Sequence, residues 1–158
     1  MTEILIATAS VHTTAAACDY LENRVGELDT VYVLTVLTET VTRRDAGDAA
    51  NVARTRLFET AIEPIQKEAA ETAKADADIA GTIHDVGEEY EIDEIIVGTT
   101  RGSYCRTENL ERISTPGGSN IFTNFCPAVS PEHAGEPPGS TVRRLLGLTS
   151  RPVVVVHP

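Results

Sequence analysis

The sequence predicts an α/β protein: an open, doubly wound, mostly parallel sheet with helices on both faces. Three observations carry that expectation. Short aliphatic or β-branched runs (ILIA, TVYVLTVL, EIIV, VVVV) alternate with segments whose apolar residues recur every three or four positions. Those runs are apolar at successive residues, as strands covered from two sides are. Glycines punctuate the junctions, notably Gly26, Gly98 and Gly139.

The elements follow in order. Residues 3–9 (EILIATA) form a first buried strand, and 13–25 a helix with Ala17, Leu21 and Val25 on one stripe, capped by Ser10 or Thr13 and stopped by Gly26. Residues 30–37 are a second strand, which completes a right-handed βαβ unit. The polar stretch 38–50 reads as a surface loop, and 51–76 as the longest helix, kinked at Pro64. Ile79, Ile83, Val86 and Tyr90 step by four, three and four residues, so 79–91 is read as helix rather than strand. Residues 94–97 (EIIV) form a strand that ends in the turn GTTRG at 98–102. From 103 to 138 the sequence is irregular and reads as one long insertion in a single domain, an extended loop with a short helix near Asn109. A helix at 140–148 and a strand at 152–156 (PVVVV) close the chain.

Composition narrows the function. The 158 residues are 41% hydrophobic and 23% charged, enough for one core, and 13 basic against 24 acidic residues leave a net charge of −11. Such a surface repels nucleic acid and anionic lipid. No apolar run approaches the roughly 20 residues of a membrane helix, and the first residues lack a basic-then-apolar leader, so the expected location is the cytoplasm. Only Lys67 and Lys74 are lysines, which with the acidic excess matches a salt-adapted organism such as a halophilic archaeon. Cys18, Cys105 and Cys126 show no disulfide or zinc spacing.

Ligands in doubly wound sheets bind beyond the carboxyl ends of the strands, which points to residues 7–10, Val36 and the 98–102 turn. Gly98 and Gly102, with Gly139 and Ser140 opening the last helix, allow close backbone approach and present N–H groups to an anion. Arg101 adds a cation there. The plain alternative is that Gly98 ends a strand, Gly139 and Ser140 start a helix, and Arg101 is solvated, with no ligand present.

These segments resemble the universal stress protein family. Its opening strand, its closing D-x-I-V-x-G strand, its glycine motif and its final P-V-x-V-V strand have counterparts here in ILIATA, DEIIVGTTRG, GSTVRRLL and SRPVVVV, in the same order. The register from Gly139 by way of Pro152 to Val156 fits without a gap. The resemblance implies a regulatory stress-response protein and, in one subgroup, binding of ATP or AMP with Mg. Carried over, Ala7, Ala9 and Val36 meet the adenine, and Gly98, Gly102, Gly139 and Ser140 the ribose and phosphates. Three departures stand out. Ala9 replaces the family's Asp, and GTTRG has three residues between its glycines, with 36 more from Gly102 to Gly139 where the motif has nine. The family's third strand is also expected to be replaced by the 79–91 helix, leaving strand two at the edge.

A second reading is therefore a family member that no longer binds nucleotide and acts as a dimeric partner-binding module through the 103–138 insertion. An enzyme is the weakest reading, at most slow ATP hydrolysis: His12, His84, His133 and His157 are scattered, no nucleophile elbow is present and no metal site is expected. Because an outer PVVVV strand would leave a flat apolar edge exposed, a homodimer through 152–156 is expected.

Overall fold

The computed structural model describes residues 1–69, 75–98, 110–114, 120–124 and 140–157. The elements are β1 (Glu3–Ala7), α1 (Val11–Leu21), β2 (Thr30–Leu37), α2 (Arg43–Arg56), β3 (Ala61–Glu68), α3 (Ala75–Glu89), β4 (Glu94–Gly98), β5 (Leu110–Ser114), β6 (Asn120–Asn124), α4 (Ser140–Leu148) and β7 (Val153–Val156). The described strands make one sheet in the order β3-β2-β1-β4-β7-β6-β5. Neighbours are parallel except β5 and β6, which are antiparallel.

Strand alternation sorts the core into two layers. Ile4 and Ile6 of β1, Val31 and Val33 of β2, Ile96 of β4 and Val154 and Val156 of β7 face one side, against Ala17, Cys18 and Leu21 of α1 and Ala49 and Ala53 of α2. Leu5 and Ala7, Leu34 and Val36, Ile95 and Val97, and Val153 and Val155 face the other, against Ala80, Ile83 and Val86 of α3 and Val142 and Leu145 of α4. The doubly wound α/β class expected from the sequence is thus the observed one, and among the described residues no helix is long and apolar enough to cross a membrane.

Several expectations are corrected. The 38–50 loop is short, because Thr42 caps α2 through a reciprocal box with Asp45 and the helix runs from Arg43. The long 51–76 helix does not exist: α2 ends at Arg56, and residues 61–68 are β3. Pro64 does not kink a helix but sits opposite Val33 in an edge strand, where a missing N–H is tolerated. The third strand is accordingly present, pairs with β2 along Thr30–Leu37, and makes β3 rather than β2 the edge. The helix expected at 79–91 is α3. It ends in a Schellman-type turn in which the Ile92 N–H reaches the Gly87 carbonyl at 3.0 Å while Glu91 takes a left-handed φ of 51°. The 103–138 insertion contributes two strands, β5 and β6, where an extended loop was expected; the short helix near Asn109 falls outside the described residues. The premise of the dimer expectation also changes, because the outer edge of β7 is taken by β6 of the same chain.

Candidate functional site

β1 lies between β2 and β4, and the chain leaves it in opposite directions, so the crevice of this sheet opens above the carboxyl ends of β1 and β4. Ala7 pairs there with Leu34 on one side and Val97 on the other. Beyond it the Thr8 N–H still reaches the Leu34 carbonyl at 2.9 Å, and the chain then turns through Ala9 and Ser10 into α1.

A set of hydroxyls fixes this turn. The Thr8 hydroxyl donates to the Ser10 carbonyl at 2.8 Å and accepts from the Ser10 N–H at 3.2 Å and from the Thr14 hydroxyl at 3.0 Å. Ser10 is the N-cap: its hydroxyl accepts from the Thr13 N–H at 3.3 Å and lies 3.2 Å from the Thr13 hydroxyl. The Thr14 N–H reaches the Ser10 carbonyl at 3.1 Å. This leaves the first-turn N–H groups of Val11 and His12 with no acceptor inside the helix, at its positive end. The arrangement suits an anion, with the exposed His12 beside it.

Gly98 completes the wall. A Cβ at this position would lie 2.3 Å from Thr13 Cγ2 and 2.8 Å from Thr13 Oγ1, so β4 ends flush against the first turn of α1 only because residue 98 has no side chain. Its role is one of space. Val36, buried on β2, joins Ala7 in the same core layer, while Ala9 is exposed at the mouth and brings no carboxylate. α4 runs back toward the start of β7, which brings its first residue, Ser140, to the carboxyl rim. Arg101, Gly102 and Gly139 fall outside the described residues. Ala7, Val36 and Gly98 all lie at or near the carboxyl ends of their strands, Ala7 and Val36 in the layer under α3 and α4 and Gly98 against α1 on the other face. Thr8 and Ser10 fall inside the 7–10 stretch to which the sequence pointed, whereas His12, Thr13 and Thr14 were not marked as a site. Their signal was the run of hydroxyl residues in TASVHTT directly after the first strand.

The charge around the rim is mixed. Arg43 and Arg44 stand in the first turn of α2, exposed, with Arg43 3.2 Å from Glu68 and Arg44 3.9 Å from Asp48. Asp45 is held below the usual carboxylate range by hydrogen bonds from the Thr42 hydroxyl and N–H. Deeper in β2, the buried Thr35 hydroxyl has no hydrogen-bond partner among the described residues.

No protein-family model matches the sequence, and no curated protein matches it. Among solved structures the chain is similar to a universal stress protein in complex with cAMP, with a TM-score of 0.56 at 14% identity over 99% of this chain and 96% of the other. It is similar to the hypothetical protein PH0823 as well, with a TM-score of 0.56 at 19% identity over 98% and 94% of the two chains. At these identities the likeness is one of architecture: the chain has the fold of a universal stress protein, a Rossmann-like parallel sheet flanked by helices on both faces.

Proposed function

We propose that the chain is a regulatory protein that binds an adenine nucleotide, ATP or AMP, at the carboxyl rim of β1 and β4. The observation that carries this reading is the first turn of α1, which presents the Val11 and His12 N–H groups at the switch point beside a glycine that admits no side chain. Ala7 and Val36 supply an apolar floor for a base, and the start of α4 at Ser140 supplies a second helix N-terminus for phosphates. The cAMP carried by one structural relative supports the same ligand class. Mg would arrive on the phosphates of ATP.

The test is thermal unfolding in about 2 M KCl, where surface charge is screened within a few ångströms, with and without millimolar Mg-ATP, AMP or cAMP. A nucleotide at 100 times its Kd stabilises by about 2.7 kcal/mol, a shift of roughly 5–10 °C for a chain of this size. That shift is expected, and expected to vanish in Gly139→Val. The absence of any shift transfers support to the second reading, a partner-binding module without a nucleotide, which the missing carboxylate at exposed Ala9 favours.

A further inference from the structure

The make-up of the two outer strands matches their place in the sheet. Outer strands expose unpaired N–H and C=O groups, and natural sheets blunt them with charges, proline or short length. β3, one edge of the described sheet, carries Pro64, Glu63, Lys67 and Glu68 and is mostly exposed. β5, the other edge, is five residues long and carries Glu111 and Arg112. β6 (NIFTN) has no charge, as suits an interior strand. β7 is four consecutive buried valines with no charge, proline or bulge of its own, and is covered on its outer side by β6 through Ile121↔Val153, Phe122↔Val154 and Thr123↔Val155. Without β6 it would present a flat, uncharged, β-branched edge, the kind that pairs with another chain.

We propose that the antiparallel β5–β6 pair is a built-in cover for the β7 edge, which holds the chain as a monomer, and that the occupant it excludes is the β7 strand of a second copy. The second copy is favoured because its own β7 is an identical run of four uncharged valines, so two such edges can pair with no like-charge contact along the ladder. Within the chain the cover also acts at a high effective concentration, so it outcompetes a second copy at ordinary protein concentrations.

The experiment is sedimentation velocity at tens of micromolar in high salt on three proteins. They are the full chain, a variant with residues 108–126 replaced by a short Gly-Ser linker, and the full-length double variant Ile121→Pro with Phe122→Pro. The prolines remove an N–H from each side of β6 and use no deletion. The full chain is expected to be monomeric and both variants dimeric or larger. If the deletion variant does not fold, the proline variant decides. A self-associated full chain, or a folded variant that stays monomeric, overturns the proposal. So does hydrogen exchange within seconds at residues 121–123 of the full chain, since paired strands there must be protected.

Discussion

Replacing Gly98 with alanine tests the close approach on which the rim depends. The new methyl would overlap Thr13 Cγ2 at 2.3 Å and Oγ1 at 2.8 Å, and lie 3.2 Å from Thr13 Cβ, so turning the Thr13 side chain relieves only part of the clash. Overpacking of this kind costs about 1–3 kcal/mol. Displacing Thr13 also forfeits its contact with the Ser10 hydroxyl at 3.2 Å, another ~0.5–1.5 kcal/mol. The smaller unfolded-state entropy of alanine returns roughly 0.4–1 kcal/mol. The net expectation is a loss of about 2–3 kcal/mol, measured as a lower urea midpoint at unchanged slope or a fall of roughly 5–10 °C in Tm. Thr13→Ala removes both clashing atoms. The double variant Gly98→Ala with Thr13→Ala is therefore expected to be more stable than the sum of the single changes by about 1–3 kcal/mol. Additive effects, or a Gly98→Ala protein as stable as the parent, would refute the packing argument.

Four further outcomes are expected. Glu91→Gly relieves the left-handed residue at the end of α3 and should raise stability by roughly 0.5–1 kcal/mol, read as a higher Tm. Thr35→Val replaces a buried hydroxyl that lacks a partner among the described residues with a methyl of similar shape and should stabilise by about 1 kcal/mol in urea titration. In the proposed site, Ala9→Asp adds a hydrogen-bond acceptor at the exposed mouth and should tighten AMP binding roughly tenfold or more in calorimetry. Stability should fall at both ends of the pH scale. Asp29, held low by N–H donors from Gly26 and Thr2, and Asp45, held low by Thr42, stabilise the fold above their unfolded value of 3.8, and that contribution disappears as pH drops below it. Burial pushes the Cys18 thiol up from 9.0 to about 11, so its contribution is present below pH 9 and fades between 9 and 11. Loss of the alkaline limb in Cys18→Ala checks the latter assignment.

The central strands were readable because a strand covered on both faces has no polar alternation to confuse the pattern: β2 lies where TVYVLTVL placed it, and β4 and β7 differ by one residue. β3 was not, since an edge strand buries little. Ile62, Ile65 and Ala69 fall at helical intervals, although in the sheet Ile62 and Ile65 face opposite layers. α2 hid for a different reason. Its buried face is Ala46, Ala49, Ala50 and Ala53, a stripe too weakly apolar to register beside Arg43, Arg44 and Asp48. β5 and β6 fall inside the stretch read as one long loop, because the short runs LERIS and NIFTN carry little apolar signal.

At the rim, the placement of Ala7, Val36 and Gly98 near strand ends was legible because short apolar runs and glycines mark where strands stop. The hydroxyl network was only half legible. Ser10 and Thr13 read as helix caps, whereas the bonds from Thr8 to Ser10 and Thr14 depend on how the turn folds back on itself, which no spacing in the sequence specifies.

Titration of ¹⁵N-labelled protein with AMP and Mg-ATP, followed residue by residue in amide spectra, tests the proposed nucleotide site most directly. Shifts concentrated at Thr8, Ser10, Val11, His12, Gly98 and Ser140, saturating with one ligand per chain, are the expected result. Amide positions unchanged at these residues with either nucleotide at millimolar concentration, or shifts confined to the opposite rim of the sheet, would contradict it.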